Sequence, residues 1–150
     1  MSEFKLVDIN SAEFKKVVMK IIEEGQNVNS LQNKRFMRLS DNWIRDLELN
    51  IEWGLSSSNS MNYKDAQEYA ESKGGRLPSI KELQSLVDYD KHEPAIDINV
   101  FSDTKQDWYW TSVKTAWRKD AAWCVSFDNG RVGSYYGDNN GYVRPVRASQ

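Results

Sequence analysis

Asn129-Gly130 stands between two runs in which apolar residues alternate, AAWCVSFD from Ala121 to Asp128 and RVGSYY from Arg131 to Tyr136. An Asn-Gly pair supplies the positive φ values of a type I′ turn, the tightest link whose twist matches that of its strands. The chain here is therefore expected to fold back as an antiparallel hairpin. A two-residue loop would pair Asp128 with Arg131, Phe127 with Val132, Val125 with Ser134 and Trp123 with Tyr136. The period of two then puts Trp123, Val125, Phe127, Val132 and Tyr136 on one face, expected to be the core, with Cys124 facing a covering loop or solvent. Asp128 and Arg131 would form an opposite-charge pair worth about 0.2 to 1 kcal/mol.

Much else is excluded by composition. With 150 residues the chain suits one domain with a small appendage, and needs no metal or disulfide staple to build a core. Basic and acidic side chains number 20 and 22, and no basic run exceeds Lys15-Lys16 or Lys34-Arg35. Nucleic-acid backbone binding needs a concentrated basic face, so no nucleic-acid partner is expected. No apolar stretch reaches the roughly 18 residues of a membrane span, so no membrane partner is expected either. MSEFKLVDIN lacks the basic start and apolar core of a secretion signal, and the single Cys124 suits a reducing compartment. The expectation is a cytoplasmic or virion-associated protein.

Two parts follow along the chain, residues 1–33 as a helix with a linker and residues 34–150 as the main domain. Asn10 and Glu13 fit a capping box, Ile9 and Phe14 a hydrophobic staple, and Gly25 a C-terminal stop. Phe14, Val17, Val18, Ile21 and Ile22 make a single apolar stripe between them. Gln26 to Asn33 is polar and reads as a linker. Short strands are predicted at 36–39, 43–46 and 50–53, with turn chemistry at Ser40-Asp41-Asn42, followed by a loop at 55–60. A second helix is capped by Asn62, turns Ala66, Tyr69 and Ala70 inward and stops at Gly74-Gly75. Ser79 and Glu82 form the capping box of a third, whose buried face is Leu83, Leu86 and Val87. Pro78 keeps Arg76-Leu77 extended between the two helices. A last strand is predicted from Tyr142 to Arg147, and Pro145, lacking an amide hydrogen, assigns it to an edge or a bulge.

IEWG (51–54), YKDAQEYA (63–70), GRLPSIKELQSLVDY (75–89), PAID (94–97), DWYWTSV (107–113), AWCVSFDNGRV (122–132) and YVRPVR (142–147) together resemble the C-terminal domain of the Legionella collagen-like adhesin. That family is a bacterial and phage module of largely unassigned function, and the resemblance covers about three quarters of the chain in the family's order. It implies an α+β fold of C-type lectin-like type, with two helices and an antiparallel C-terminal sheet, here preceded by the extra amphipathic helix. Exported members often carry a cysteine pair where this chain has Ala70 and Pro145, which implies an intracellular relative without the staple.

Reaction chemistry is hard to find in these residues. His92 is the only histidine and has no second ligand at zinc spacing, so it reads as a surface loop residue. The glycines match neither phosphate-binding pattern, and no GxSxG accompanies the histidine. Asp88, Asp90, Glu93, Asp97, Asp103 and Asp107 cluster in sequence; a solvated acidic loop is expected, and a structural calcium there stays open. The sugar-binding motif of true C-type lectins is absent, since Ala95 follows Glu93-Pro94. Sulfatase-modifying relatives use paired cysteines with copper, which a lone Cys124 does not reproduce. No catalysis, no cofactor and no resident metal are therefore expected.

Binding remains. Trp117, in the loop from Lys114 to Asp120, has no periodic company and is followed by Arg118-Lys119, the residue types that interface hot spots favour. With Tyr135 and the Asp138-Asn139-Asn140 loop they make the candidate recognition surface; the resemblance likewise implies ligand contacts on C-terminal loops. Trp110 and Trp123 are expected in the core. Two readings compete. In one, the chain recognises a protein, for example as a phage-encoded inhibitor of a host defence complex, and its N-terminal helix makes a homodimer or a second contact. In the other, it is a receptor- or glycan-binding module.

Overall fold

In the computed structural model, residues 12–23, 34–40 and 42–150 are described. Among these described residues, three helices and seven strands follow in the order α1 (Ala12–Glu23), β1 (Phe36–Arg38), β2 (Trp43–Asp46), β3 (Ile51–Gly54), α2 (Tyr63–Ser72), α3 (Ile80–Gln84), β4 (Trp108–Lys114), β5 (Ala121–Ser126), β6 (Val132–Tyr136) and β7 (Val146–Ala148). The architecture is mixed α+β with two antiparallel sheets, ordered β1-β2-β3-β7 and β4-β5-β6. The expected features at Ile9, Asn10, Gly25, the 26–33 linker, Asp41 and the side chain of Ile21 lie outside the described residues.

Local chemistry fixes the helices as anticipated. Asn62 Oδ1 accepts from the Asp65 amide at 2.9 Å at the head of α2, and Gly74 takes φ +84° just past its end. At α3 the capping box closes both ways: Glu82 N donates to Ser79 Oγ at 3.1 Å and Ser79 N to Glu82 Oε1 at 2.8 Å. Between the helices, Arg76 forms an antiparallel bridge with Val146. α3 ends at Gln84, so Leu86 and Val87 reach the core from the turn that follows.

Two apolar clusters flank the sheet β4-β5-β6. One joins Ile44, Ile51 and Trp53 of the first sheet to Leu83, Leu86, Ile96, Phe101, Tyr109, Val125 and Phe127. The other joins Tyr63, Ala66 and Ala70 of α2 to Trp110, Ala122, Cys124 and Val143. Strand β5 thus buries both of its faces, which corrects the expectation for Cys124: it is wholly buried beneath α2. Val132 and Tyr136, expected in the core, are exposed because β6 is the outer strand. Trp123 is half-buried at the end of the sheet, while Trp110 is fully buried as expected.

The hairpin register also differs from the two-residue turn. Val125 pairs with Val132, Trp123 with Ser134 and Ala121 with Tyr136, a slip of two residues that leaves every side chain on its expected face. A neighbouring segment is responsible. Glu93 N donates to the Asp128 carbonyl at 2.8 Å and Ala95 N to that of Phe127 at 2.7 Å, while Phe127 N donates to Asp107 O at 3.0 Å. Phe127 is thereby drawn into the core, edge-on to Tyr109, and is not available to Val132. The loop lengthens to Phe127–Gly130. Arg131 Nε turns to Asn129 Oδ1 at 3.3 Å, and the ion pair expected with Asp128 does not form. Gly130, at φ +86°, lies where a Cβ would stand 2.5 Å from Val87 Cγ1.

Buried charges knit the first sheet and the closing segment. Arg45, Glu52 and Arg147 are cross-strand neighbours, and Glu52 accepts from both arginines at 2.8 Å and from Gln150 N at 3.0 Å. Glu13 of α1 also pairs with Arg45, which sets the helix against its own domain at that point. Asp46 accepts from Trp53 Nε1 at 3.0 Å and from Arg35 Nη2 at 2.8 Å. The last strand is shorter than expected: Pro145 precedes β7, and its carbonyl accepts from Gly54 N at 2.7 Å. Beside it Arg144, fully buried, donates to Gly54 O at 2.9 Å, Asp103 Oδ1 at 2.7 Å and Thr104 Oγ1 at 2.8 Å. Burial works against the Asp103 carboxylate, but Arg144 and the Ser56 amide outweigh it and hold it below the usual carboxylate range.

Arg144→Ala strands Asp103, the Gly54 carbonyl and the Thr104 hydroxyl, so urea denaturation is expected to show a loss of about 3 to 5 kcal/mol. Because the folded carboxyl titrates low, its contribution is present above its unfolded value and lost as pH falls through the folded one. Wild type should therefore resist acid to below about pH 4, whereas the variant unfolds at higher pH. A loss under about 1 kcal/mol would contradict this role.

Candidate functional site

The segment from Thr115 to Asp120 closes on itself at the end of the second sheet. Thr115 N donates to Ala121 O at 3.0 Å, and its buried hydroxyl donates to the Arg118 carbonyl at 2.8 Å. The backbone of the loop is therefore tied, and its side chains Trp117, Arg118 and Lys119 are left outside. Trp117 is 63% exposed and stands edge-on to Trp123, with ring centroids 5.4 Å apart at 88°. The Arg118 guanidinium lies 4.7 Å from the centre of the Tyr136 ring, and its Nε donates to Asp120 Oδ1 at 3.3 Å. Two aromatic rings thus support an exposed tryptophan and an exposed arginine, limiting the rotamer freedom that binding would remove.

A groove of about 650 Å³ runs on from this platform. Lys119, Asp120, Tyr136 and Asp138 line it together with Lys64 and Gln67 of α2 and Lys114 of β4. The loop 137–141 is held here by the start of α2: Tyr63 N donates to Gly137 O at 2.9 Å, and Met61 and Gly141 exchange backbone bonds at 2.9 Å. Asp138, Asn139 and Asn140 are all exposed, but of the three only Asp138 lines the groove.

Of the surface expected from sequence, Trp117, Arg118 and Lys119 stand exposed on one loop and Lys119 lines the groove with Asp138, while Tyr135 does not join them. It lies on the opposite face of β6, with its ring 5.2 Å from that of Trp108 and 6.3 Å from that of Trp110, as part of the cluster under α2. Tyr136 takes its place. Alternation along β6 separates the two tyrosines; what it does not contain is which strand is outermost. Trp123 was likewise missed, since its contact with Trp117 depends on how the 115–120 loop folds back, and so were Lys64, Gln67 and Lys114, whose assembly depends on how α2 meets the sheet. On α1, Phe14, Val17 and Val18 are half-buried and Ile22 is 55% exposed.

Reactive groups lie elsewhere. Burial pushes the Cys124 thiol up to about 12, against a smaller opposing effect of the Tyr135 amide. The Tyr63 hydroxyl is buried with no partner among the described residues. His92 is exposed, 3.8 Å from Glu93. The acidic run is dispersed into local roles: Asp88 accepts from Asp90 N, Asp97 from Asn99 N, Asp107 from Trp108 N, and Asp103 serves Arg144. Among the described residues no three potential ligands gather at one point, and no helix is long and apolar enough to cross a membrane.

Residues 42–147 match the family model described as the Lcl C-terminal domain. The chain belongs to that family, as the motifs from IEWG to YVRPVR indicated. Comparison with curated proteins returns no match. α1 and β1 precede the matched span, as do the acid Glu13 and the edge of the first sheet.

A thiol that titrates near 12 presents about a thousandth of the thiolate of a free cysteine at pH 8. Folded protein should therefore react with a chromogenic disulfide at least about a hundredfold more slowly than urea-unfolded protein. Equal rates would show Cys124 to be accessible.

Proposed function

We propose that this chain is a non-catalytic binding module that recognises a protein partner through the surface around Trp117, on a scaffold of C-type lectin-like type. The observation that carries this reading is an exposed indole and an exposed guanidinium, each seated on another ring of the same sheet end. Tryptophan and arginine dominate interface hot spots because they bury large area for few lost rotamers, and here the supporting rings reduce that loss further. Lys119 on the same loop and the exposed Asp138, Asn139 and Asn140 are the polar residues that this reading assigns to the rim. An inhibitor of a host defence complex is one form this reading allows, with the stripe of α1 as a second contact to the partner.

A receptor- or glycan-binding reading has its own support in the adjoining groove, where Tyr136 stands among Lys64, Gln67, Lys114, Lys119 and Asp138. A ring beside convergent polar groups suits a polyhydroxylated ligand. The two readings separate by which residues matter.

Affinity capture from host lysate is expected to recover a protein with wild type and to lose it, by tenfold or more, with Trp117→Ala/Arg118→Ala. Lys64→Ala/Gln67→Ala should leave that recovery unchanged. Equal recovery by all three discards the Trp117 surface; loss only with the Lys64/Gln67 pair, together with binding to a glycan array, transfers recognition to the groove.

A further inference from the structure

Among the described residues, the outer strand β6 has an open backbone edge. Arg131 O accepts from Ser126 N at 2.8 Å, and Gly137 N donates to Asp120 O at 2.7 Å, so the odd-numbered residues face β5. By antiparallel alternation, the amides and carbonyls of Val132, Ser134 and Tyr136 point away from the sheet. Among the described residues only the Tyr136 carbonyl finds a partner there, the Asn139 amide at 3.0 Å. The other outer strands are covered or short. β4 bonds to Tyr142 and Pro78, β7 bonds to Arg76, and β1 has three residues ending in exposed Arg38. Exposed edges are ordinarily protected by lysine, proline or a bulge, and VGSYY carries none of these.

We propose that this edge docks a second copy of the chain, antiparallel, about a two-fold axis through Ser134. The two three-stranded sheets then become one of six strands. Its self-complementarity argues for this occupant. With Ser134 opposite Ser134 of the second copy, Val132 meets Tyr136 of the second copy, a β-branched–aromatic pair of the kind that stabilises antiparallel ladders. All these side chains leave the same face, where each is already exposed. β6 itself is uncharged, and its two ends carry opposite signs, Arg131 before it and Asp138 after it; antiparallel docking brings the basic end of each copy to the acidic end of the other. The axis is perpendicular to the sheet, so both Trp117 platforms open on one side and can engage a repeated or two-fold partner together. This seam is distinct from the α1 stripe.

Light scattering over a concentration series tests it, independently of any captured partner. Wild type should rise from the 17.4 kDa chain mass to twice that value. Ser134→Pro, which removes an outward amide without touching β5, should remain at the chain mass. Ser134→Lys keeps every amide but sets two like charges together on the axis; its dissociation constant should rise at least about tenfold at low salt and recover with added salt. If circular dichroism shows Ser134→Pro unfolded, the lysine variant decides, together with the concentration-dependent slowing of Ser134 and Tyr136 amide exchange in wild type. Val18→Glu should dimerise as wild type. A wild type that stays at the chain mass, Ser134 variants that dimerise unchanged, or a dimer dissociated by Val18→Glu each overturn the proposal.

Discussion

Strand β5 is covered on both faces, by Tyr109, Val125 and Phe127 with the first sheet on one side and by Trp110, Ala122 and Cys124 with α2 on the other. A sheet held this way can be neither reshaped nor exposed without opening a core, because close-packed interiors tolerate little change in volume. Among the described residues the sandwich leaves uncovered the loop at its end and the outer edge of β6, and the proposed binding and docking surfaces rest on these two. Trp117 and Arg118 stand at the first, Val132 and Ser134 along the second, and Tyr136 belongs to both.

Charge completes what the apolar clusters begin. Glu52, Asp46 and Arg144 are wholly buried, each with at least three polar contacts, and they join segments far apart in the chain. Removing one partner from such a group costs far more than the net worth of the pair, so these residues fix one arrangement of strands more than they add stability. Burial raises the Glu52 carboxyl, but Arg45, the Gln150 amide and Arg147 more than reverse it and leave it low. Through Arg45 the same network reaches Glu13, tying α1 to the domain.

Local signals were legible where the chemistry is local. Asn62, Ser79 and Glu82 announce their caps, and the brief strands at 36–39, 43–46 and 50–53 appear within a residue or so of where turn residues divide them. Asn129-Gly130 marks the hairpin correctly. Its register is set from outside, by Glu93 and Ala95 taking the carbonyls of Asp128 and Phe127, and nothing between Ala121 and Tyr136 encodes that competition. The same limit explains Tyr135 and Cys124. Alternation assigns faces, whereas burial depends on α2 arriving over one of them and on β6 being last in order. Trp117 and Arg118 were readable as an exposed loop pair, but the rings beneath them were not.

That register is what composes the platform. Ala121 opposite Tyr136 puts the phenol ring under Arg118, and Trp123 opposite the small Ser134 leaves its indole free to support Trp117. These are pairs in which the two strands do not exchange hydrogen bonds, so their α-hydrogens lie close. A nuclear Overhauser spectrum of the free protein reads them directly. Strong Hα–Hα contacts between Trp123 and Ser134 and between Val125 and Val132 are the predicted result; contacts between Trp123 and Tyr136 and between Phe127 and Val132, as a two-residue turn requires, would contradict it.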